Sequence, residues 1–259
     1  MSVTFDFTGK NFVVVGASSG IGKQVAIELS QSGANVLAIG RNLERLDALR
    51  KNSPISLVKS PPRIFTEQLD VLTATADDWS RVLGNFTSVV GKINGGVYTA
   101  GIWGLTPLNS FDESLAHKIF DTSFWGAINF VQTATRKKFS DSGGSFVLMS
   151  SVAGDFSDKS LFAYSAAKAA VQAAVKSFAA EIVRSKHRIN SVAPAMVKTE
   201  MMTNELYAPN DEIISRHLLG LGTARDVAGM ILFLLSDRAS WITGQNFFVD
   251  GGYIVGSYT

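Results

Sequence analysis

The chain has 259 residues, 46% hydrophobic and 18% charged, enough for a sizeable core and unlike a disordered chain. The 24 basic and 22 acidic residues leave a net charge of +2, which offers no basic field for nucleic acid or for an acidic membrane surface. No cysteine is present, so disulfides, thiolate zinc sites and cysteine nucleophiles are excluded.

The opening "MSVTFDFTGK" lacks the basic segment and apolar run of a signal peptide. "MILFLL", the longest apolar run, is too short to span a bilayer, so the expected setting is cytoplasmic. "NFVVVG" (11–16) predicts a buried strand, "IGKQVAIELSQSG" (21–33) a helix ended by Gly33, "NVLAIG" (35–40) a second strand and "NLERLDALRK" (42–51) a charged helix. The three prolines of 53–63 predict a loop, followed by a weaker strand at 64–70, a helix at 77–91 and a strand and turn at 94–101. A single long helix is expected over about 111–139, a fifth strand at 145–150, and a helix carrying Tyr164 to about Lys186. A strand at 188–194, a helix near 223–236 and a strand at 245–250 complete the pattern. Strands alternate with helices and are apolar throughout, which predicts a parallel sheet covered on both faces. We find no linker or repeat, and expect one domain over 1–259. Ligands of such sheets sit beyond the carboxyl ends of the strands.

The first strand runs into "VGASSGIG", where Gly16, Gly20 and Gly22 open a helix. Glycines permit close backbone approach, and a helix amino terminus suits a pyrophosphate, so Gly16, Ser18, Ser19, Gly20, Ile21 and Gly22 are candidate dinucleotide-binding residues. A plain glycine-rich turn is the alternative. The second strand ends "LAIGRN", with no carboxylate for a ribose 2′-hydroxyl. Arg41 offers a fork of donors for a 2′-phosphate, with Ser18 or Asn42 beside it, which favours NADP(H) over NAD(H); a solvated strand-end arginine is the bland reading. In "YSAAK", Tyr164 and Lys168 are four apart on one helix face, with only small residues between them. By itself that is also the pattern of an ordinary amphipathic pair.

Taken together, "GASSGIG" (16–22), "LDV" (69–71), "AG" (100–101), "SSVAG" (150–154), "YSAAK" (164–168), "SVAP" (191–194) and "DGG" (250–252) resemble the short-chain dehydrogenase/reductase family in order and spacing. The resemblance implies a single-domain, Rossmann-like, doubly wound parallel seven-stranded sheet with helices on both faces, and a substrate lid at about 199–222. It implies that Ser151 is the catalytic serine, Tyr164 the general acid/base and Lys168 its partner. Asp70 and Val71 would meet the adenine, and Ala100, Gly101, Pro194, Val197 and Thr199 the nicotinamide end. A tyrosine titrates near ~10, and an ammonium ~4 Å away at an effective dielectric of ~20 supplies the ~4 kcal/mol that would bring it near neutrality.

The chain departs from the family pattern at three places. Tyr98 and Thr99 stand where asparagines are usual before "AG". Ser123 stands in place of the asparagine of the catalytic relay, with shorter reach, so that either the relay is rebuilt or turnover is slow. Ala195 replaces a glycine and disfavours a positive φ there. Met201, Met202, Leu206 and Tyr207 would line an apolar pocket or pack on the core. The short lid and the C-terminal segment look most like 3-oxoacyl-(acyl-carrier-protein) reductases, which implies a carbonyl or alcohol substrate on acyl carrier protein or coenzyme A. Arg136, Lys137, Lys138, Arg184 and Lys186 are candidates for a carrier surface, or simply solvated helix ends. Sugar, polyol and steroid dehydrogenases share the quoted motifs, and a non-catalytic NADP-binding sensor shares the fold. The family also implies a homotetramer built on the helices of 111–139 and 160–186. His117, His187 and His217 show no metal-ligand spacing, no metal is expected, and "LMSSVAG" is not a serine-hydrolase elbow.

Overall fold

The computed structural model describes residues 4–51, 63–200 and 211–256. The predicted 53–63 loop falls almost wholly, and the four lid residues wholly, outside them. Strands β1 (Asn11–Val15), β2 (Asn35–Gly40), β3 (Ile64–Gln68), β4 (Ile93–Tyr98), β5 (Ser140–Met149) and β6 (Arg188–Pro194) alternate with helices. The helices are α1 (Gly20–Gln31), α2 (Leu43–Lys51), α3 (Ala76–Val90), α4 (Glu113–Phe120), α5 (Gly126–Ala134) and α6 (Phe162–Ile182). A two-stranded parallel pair, β7 (Val197–Lys198) with β8 (Gly222–Thr223), brackets α7 (Asp211–Ser215). Helix α8 (Ala224–Leu235), β9 (Asn246–Val249) and α9 (Tyr253–Gly256) follow.

The main sheet has seven strands in the order β3-β2-β1-β4-β5-β6-β9, every pairing parallel. Alternation along β1 explains why Phe12 to Val15 are all apolar. Phe12 and Val14 join Val25, Leu29, Val227 and Ile231 in the core under α1 and α8. Val13 and Val15 point the other way, into a core with Trp79, Leu83, Phe130 and Val171 from α3, α5 and α6. A strand with a core on each face has no polar side to show. The chain runs outward from β1 through β2 to β3, then restarts at β4 on the other side. That reversal places the switch point at the carboxyl ends of β1 and β4.

The long helix expected over 111–139 is interrupted. It starts at Glu113, passes through a π turn at Asp121–Trp125 and ends at Ala134. The buried Tyr98 hydroxyl donates to the Thr122 carbonyl at 2.6 Å, and the Gly126 N–H reaches back five residues to the Asp121 carbonyl. Helix α6 also stops short of Lys186, at Ile182, and a 3₁₀ turn follows that ends on Lys186 in the left-handed region. The described helices include none long and apolar enough to cross a membrane.

Candidate active site

A cleft of about 430 Å³ lies along the carboxyl ends of the strands. At one end is the turn between β1 and α1. Gly16 has φ +89°, and a Cβ there would fall 2.6 Å from the Ala100 N, so β1 and the turn after β4 meet backbone to backbone. Gly22 is packed onto Gly16 and the Thr99 side chain, which leaves no room for a methyl. Thr99 Oγ1 donates to the Val15 carbonyl at 2.8 Å, so it ties β4 to β1 from one of the positions where asparagine was expected. The result is a glycine cradle at the amino end of a 12-residue helix, the form that accepts a dinucleotide's pyrophosphate. Arg41 follows β2 and lines the same cleft, as do Ser18, Asp70 and Val71. Asn42 does not: its Oδ1 accepts the Arg45 N–H at 2.9 Å and caps α2, so the structure assigns its side chain to the helix rather than to the cleft.

At the other end, Ser151 follows β5 and Tyr164 and Lys168 project from the first two turns of α6. The Tyr164 hydroxyl shares a hydrogen bond with Ser151. Ser151 Oγ also accepts the Ala153 N–H at 3.2 Å, which fixes its rotamer. Lys168 is 3% exposed, and its Nζ donates to the Met149 carbonyl at 2.9 Å and lies 5.6 Å from the centre of the Tyr164 ring. Burial pushes the Tyr164 hydroxyl above its ordinary range, and the Ser151 bond opposes this only partly. Burial also lowers Lys168 to about 8. The tyrosine brought near neutrality is therefore not the state of the free protein; desolvation outweighs the Ser151 bond, and Tyr164 stands as a neutral hydroxyl.

Ser123 lies behind this group, 1% exposed, with its Oγ unpartnered. A Cβ built on Gly101 would lie 3.4 Å from both Ser123 Oγ and Lys168 Nζ, so the two polar atoms flank one backbone position without reaching each other directly. Ala195 lies in the cleft without a positive φ; the backbone passes there in a form that any residue adopts. The expected carrier surface is misplaced. Arg136, Lys137 and Lys138 precede β5, and Arg184 and Lys186 precede β6. In a parallel sheet that puts all five at the amino-terminal edge, a strand's length from the cleft.

The enoyl-(acyl carrier protein) reductase family profile matches residues 16–254. A solved short-chain type dehydrogenase/reductase from Mycobacterium ulcerans superposes with a TM-score of 0.87 at 30% identity, covering 98% of this chain and 92% of that one. The chain belongs to the short-chain dehydrogenase/reductase family. It is thus an oxidoreductase with a nicotinamide cofactor. Its relatives in the family differ in substrate. The 3-oxoacyl-(acyl-carrier-protein) reductase of Thermotoga maritima is 31% identical over 248 residues, 95% of this chain and 98% of its own. The NAD-dependent glycerol dehydrogenase of Listeria innocua is 28% identical over 253 residues, 97% of this chain and 96% of its own.

Sequence reasoning left out part of this dehydrogenase/reductase cleft. Phe156, Asp158, Ile213 and Tyr253 line its outer end. Asp158 accepts from the Tyr253 hydroxyl at 3.3 Å and meets Arg216 Nη1 at 3.5 Å, joining the loop after β5 to α9 and to the residue after α7. Tyr253 directly follows "DGG", and that position was the one available signal. His217, read as structural or surface, is buried beside this group. Its Nε2 accepts the Met196 N–H at 3.2 Å while its Nδ1 faces the Ile213 carbonyl at 2.8 Å.

Proposed function

We propose that the protein is an NADP(H)-dependent oxidoreductase that moves hydride between the nicotinamide and a carbonyl or secondary alcohol, with a 3-oxoacyl thioester as its substrate class. The observation that carries this reading is the single cleft that holds the glycine cradle at one end and Ser151, Tyr164 and Lys168 at the other. The cradle from Gly16 to Gly22 would hold the pyrophosphate, with Ser18, Ser19 and Ile21 in the turn. Arg41 would meet the 2′-phosphate, Asp70 and Val71 the adenine, and Ala100, Gly101, Pro194, Val197 and Thr199 the nicotinamide end. Asn42 supports this only by capping α2 next to Arg41. The bound nicotinamide supplies or takes the hydride.

In reduction, Ser151 Oγ and the Tyr164 hydroxyl hold the substrate oxygen. Tyr164, neutral in the free protein, donates its proton to that oxygen as negative charge develops there, a contribution of roughly 10²–10⁴ in rate. Lys168, with Nζ fixed on the Met149 carbonyl, places a cation beneath the tyrosine and helps to resupply its proton. Ser123 stands next in that line, on the far side of Gly101. The protein works in the cytoplasm as a homotetramer on this reading, and a substrate lid spans about 199–222. The thioester is carried by coenzyme A or a carrier protein; a carrier would have to dock without the five basic residues of the far edge.

The 3-oxoacyl-(acyl-carrier-protein) reductase relatives support the thioester. The glycerol dehydrogenase relative favours a second reading, oxidation of a small polyol with NAD. Fluorescence titration with NADPH and NADH, followed by a 3-oxoacyl thioester and by glycerol, separates the two. Tighter NADPH binding with oxidation on the thioester is the expected result. NADH preference with glycerol turnover establishes the polyol reading instead, and binding without turnover of either substrate overturns both assignments.

A further inference from the structure

The amino end of α1 is already occupied by an anion of the chain itself. The N-cap, Ser19, makes no side-chain capping bond, and the first turn of α1 holds no acidic residue. The Gly20 N–H donates instead to Glu200 Oε2 at 3.0 Å, across 180 positions of sequence. Thr199 packs on the same turn: a Cβ at Gly20 would lie 3.3 Å from Thr199 Cγ2. Glu200 lines the cleft alongside Ser19, Gly20 and Ile21. Its own backbone N–H, the Gly20 N–H and the charges of Lys23 and Arg45 hold its carboxyl below the ordinary range, although partial burial works the other way. At neutral pH it is a carboxylate on a helix amino terminus.

A helix amino terminus has a limited set of free N–H groups and about half a positive charge. A pyrophosphate at this turn would draw on the same field, and the two anions would repel. We infer that Glu200 is an internal competitor for the anion position at α1, holding it in the free protein and yielding when a dinucleotide arrives. Part of the binding energy of the cofactor is then spent on displacing Glu200, so this residue weakens affinity and speeds release. The inference rests on the dinucleotide reading above. Because the competition concerns the pyrophosphate, common to both cofactors, it must act equally on NADPH and NADH, unlike anything that Arg41 does.

The test is fluorescence titration of the full chain with NADPH and with NADH, using wild type, Glu200→Gln and Glu200→Ala. Both variants are expected to bind both dinucleotides about fivefold more tightly, equivalent to ~1 kcal/mol at ~1.4 kcal/mol per tenfold. The gain should shrink in about 0.5 M salt, where the charges are screened. Unchanged or weaker binding in the variants, with wild type still binding, overturns the competitor role and leaves the dinucleotide reading standing. A gain for only one of the two cofactors also overturns it. If wild type and both variants bind neither dinucleotide, both readings fall.

Discussion

At the scale of single residues, burial decides the chemistry of the pair Tyr164 and Lys168. Tyr164→Phe keeps the ring and removes only the proton donor and the bond to Ser151. On the proposed mechanism, turnover should fall by at least ~10²-fold while NADPH binding stays within about twofold, as read by steady-state rates and fluorescence titration. Turnover close to wild type would remove Tyr164 from the mechanism. Lys168 makes a separate prediction about stability. Its amine titrates near 8 in the folded protein against 10.5 for the ordinary group. Above pH 8 the folded state sheds this proton before the unfolded state does, so the unfolded state binds more protons and stability rises with pH from 8 towards 10.5. At ~1.36 kcal/mol per unit the rise amounts to a few kcal/mol. Lys168→Met should lose this rise, so that its stability curve runs flatter than that of wild type across the window, as measured by urea unfolding at a series of pH values. An identical slope in both proteins would mean that the buried amine keeps its ordinary affinity for the proton. The i, i+4 geometry of the pair was legible in the sequence because helix periodicity is local. The direction of the tyrosine's shift was not, since it depends on burial by residues distant in sequence.

Among the elements, the segment from Glu113 to Ala134 departs most from its sequence pattern, and the cause lies in another element. Tyr98 closes β4 and is 1% exposed, so its hydroxyl must find a partner, and the Thr122 carbonyl is the one it takes. Burial, with the Asp70 charge adding to it, keeps this phenol protonated and donating. Gly126 completes the fit. A methyl there would collide with the Tyr98 hydroxyl, and glycine is the residue that lets the π turn sit over β4. Tyr98→Phe leaves the Thr122 carbonyl without its donor and should cost about 1–3 kcal/mol in urea unfolding. Gly126→Ala should cost at least as much, since the displaced hydroxyl loses its bond and the surrounding packing must shift. The pair should be less than additive: once the hydroxyl is gone the worst collision goes with it, leaving the ring Cζ at 3.2 Å and Val71 Cβ at 3.3 Å, so the double variant should lose less than the sum of the two single changes. Strict additivity would show that Gly126 is needed for some other reason. The strand and helix periods of 2 and 3.6 located the elements on either side of this turn, but a bond from β4 into the helix leaves no periodic trace. The same holds for Glu200 on Gly20 and for Asp158 with Arg216 and Tyr253, contacts between segments far apart in the chain.

For the whole molecule, two exposed aromatic patches among the described residues bear on the proposed assembly. Along the α4–α6 side, Phe111 and Phe162 pack on each other with ring centres 5.2 Å apart, and both are exposed. Trp125, at the end of the π turn, is 52% exposed and leans on Phe124 at 5.0 Å. The far edge of the sheet offers a second patch. Strand β9 pairs on one side only, with β6, and carries the exposed Phe248; Trp241, just before it, is 98% exposed. Monomers seldom leave such aromatic surface in water, nor an unprotected edge strand. If each patch meets its own copy, two such patches on one chain generate a closed tetramer with dihedral symmetry, the arrangement proposed above. Sedimentation of the wild type should therefore give four times the 27.8 kDa of one chain. Trp125→Lys puts a charge into the helical patch and leaves the edge patch intact, so it should stop assembly at the dimer rather than the monomer. The exposure of Trp125 in the isolated chain means that its replacement should cost little in the stability of the fold itself, so unfolding of the variant is distinguishable from failure to assemble. A monomeric wild type would show that these aromatics serve some purpose other than self-association. A tetrameric Trp125→Lys protein would move the helical interface away from the π turn.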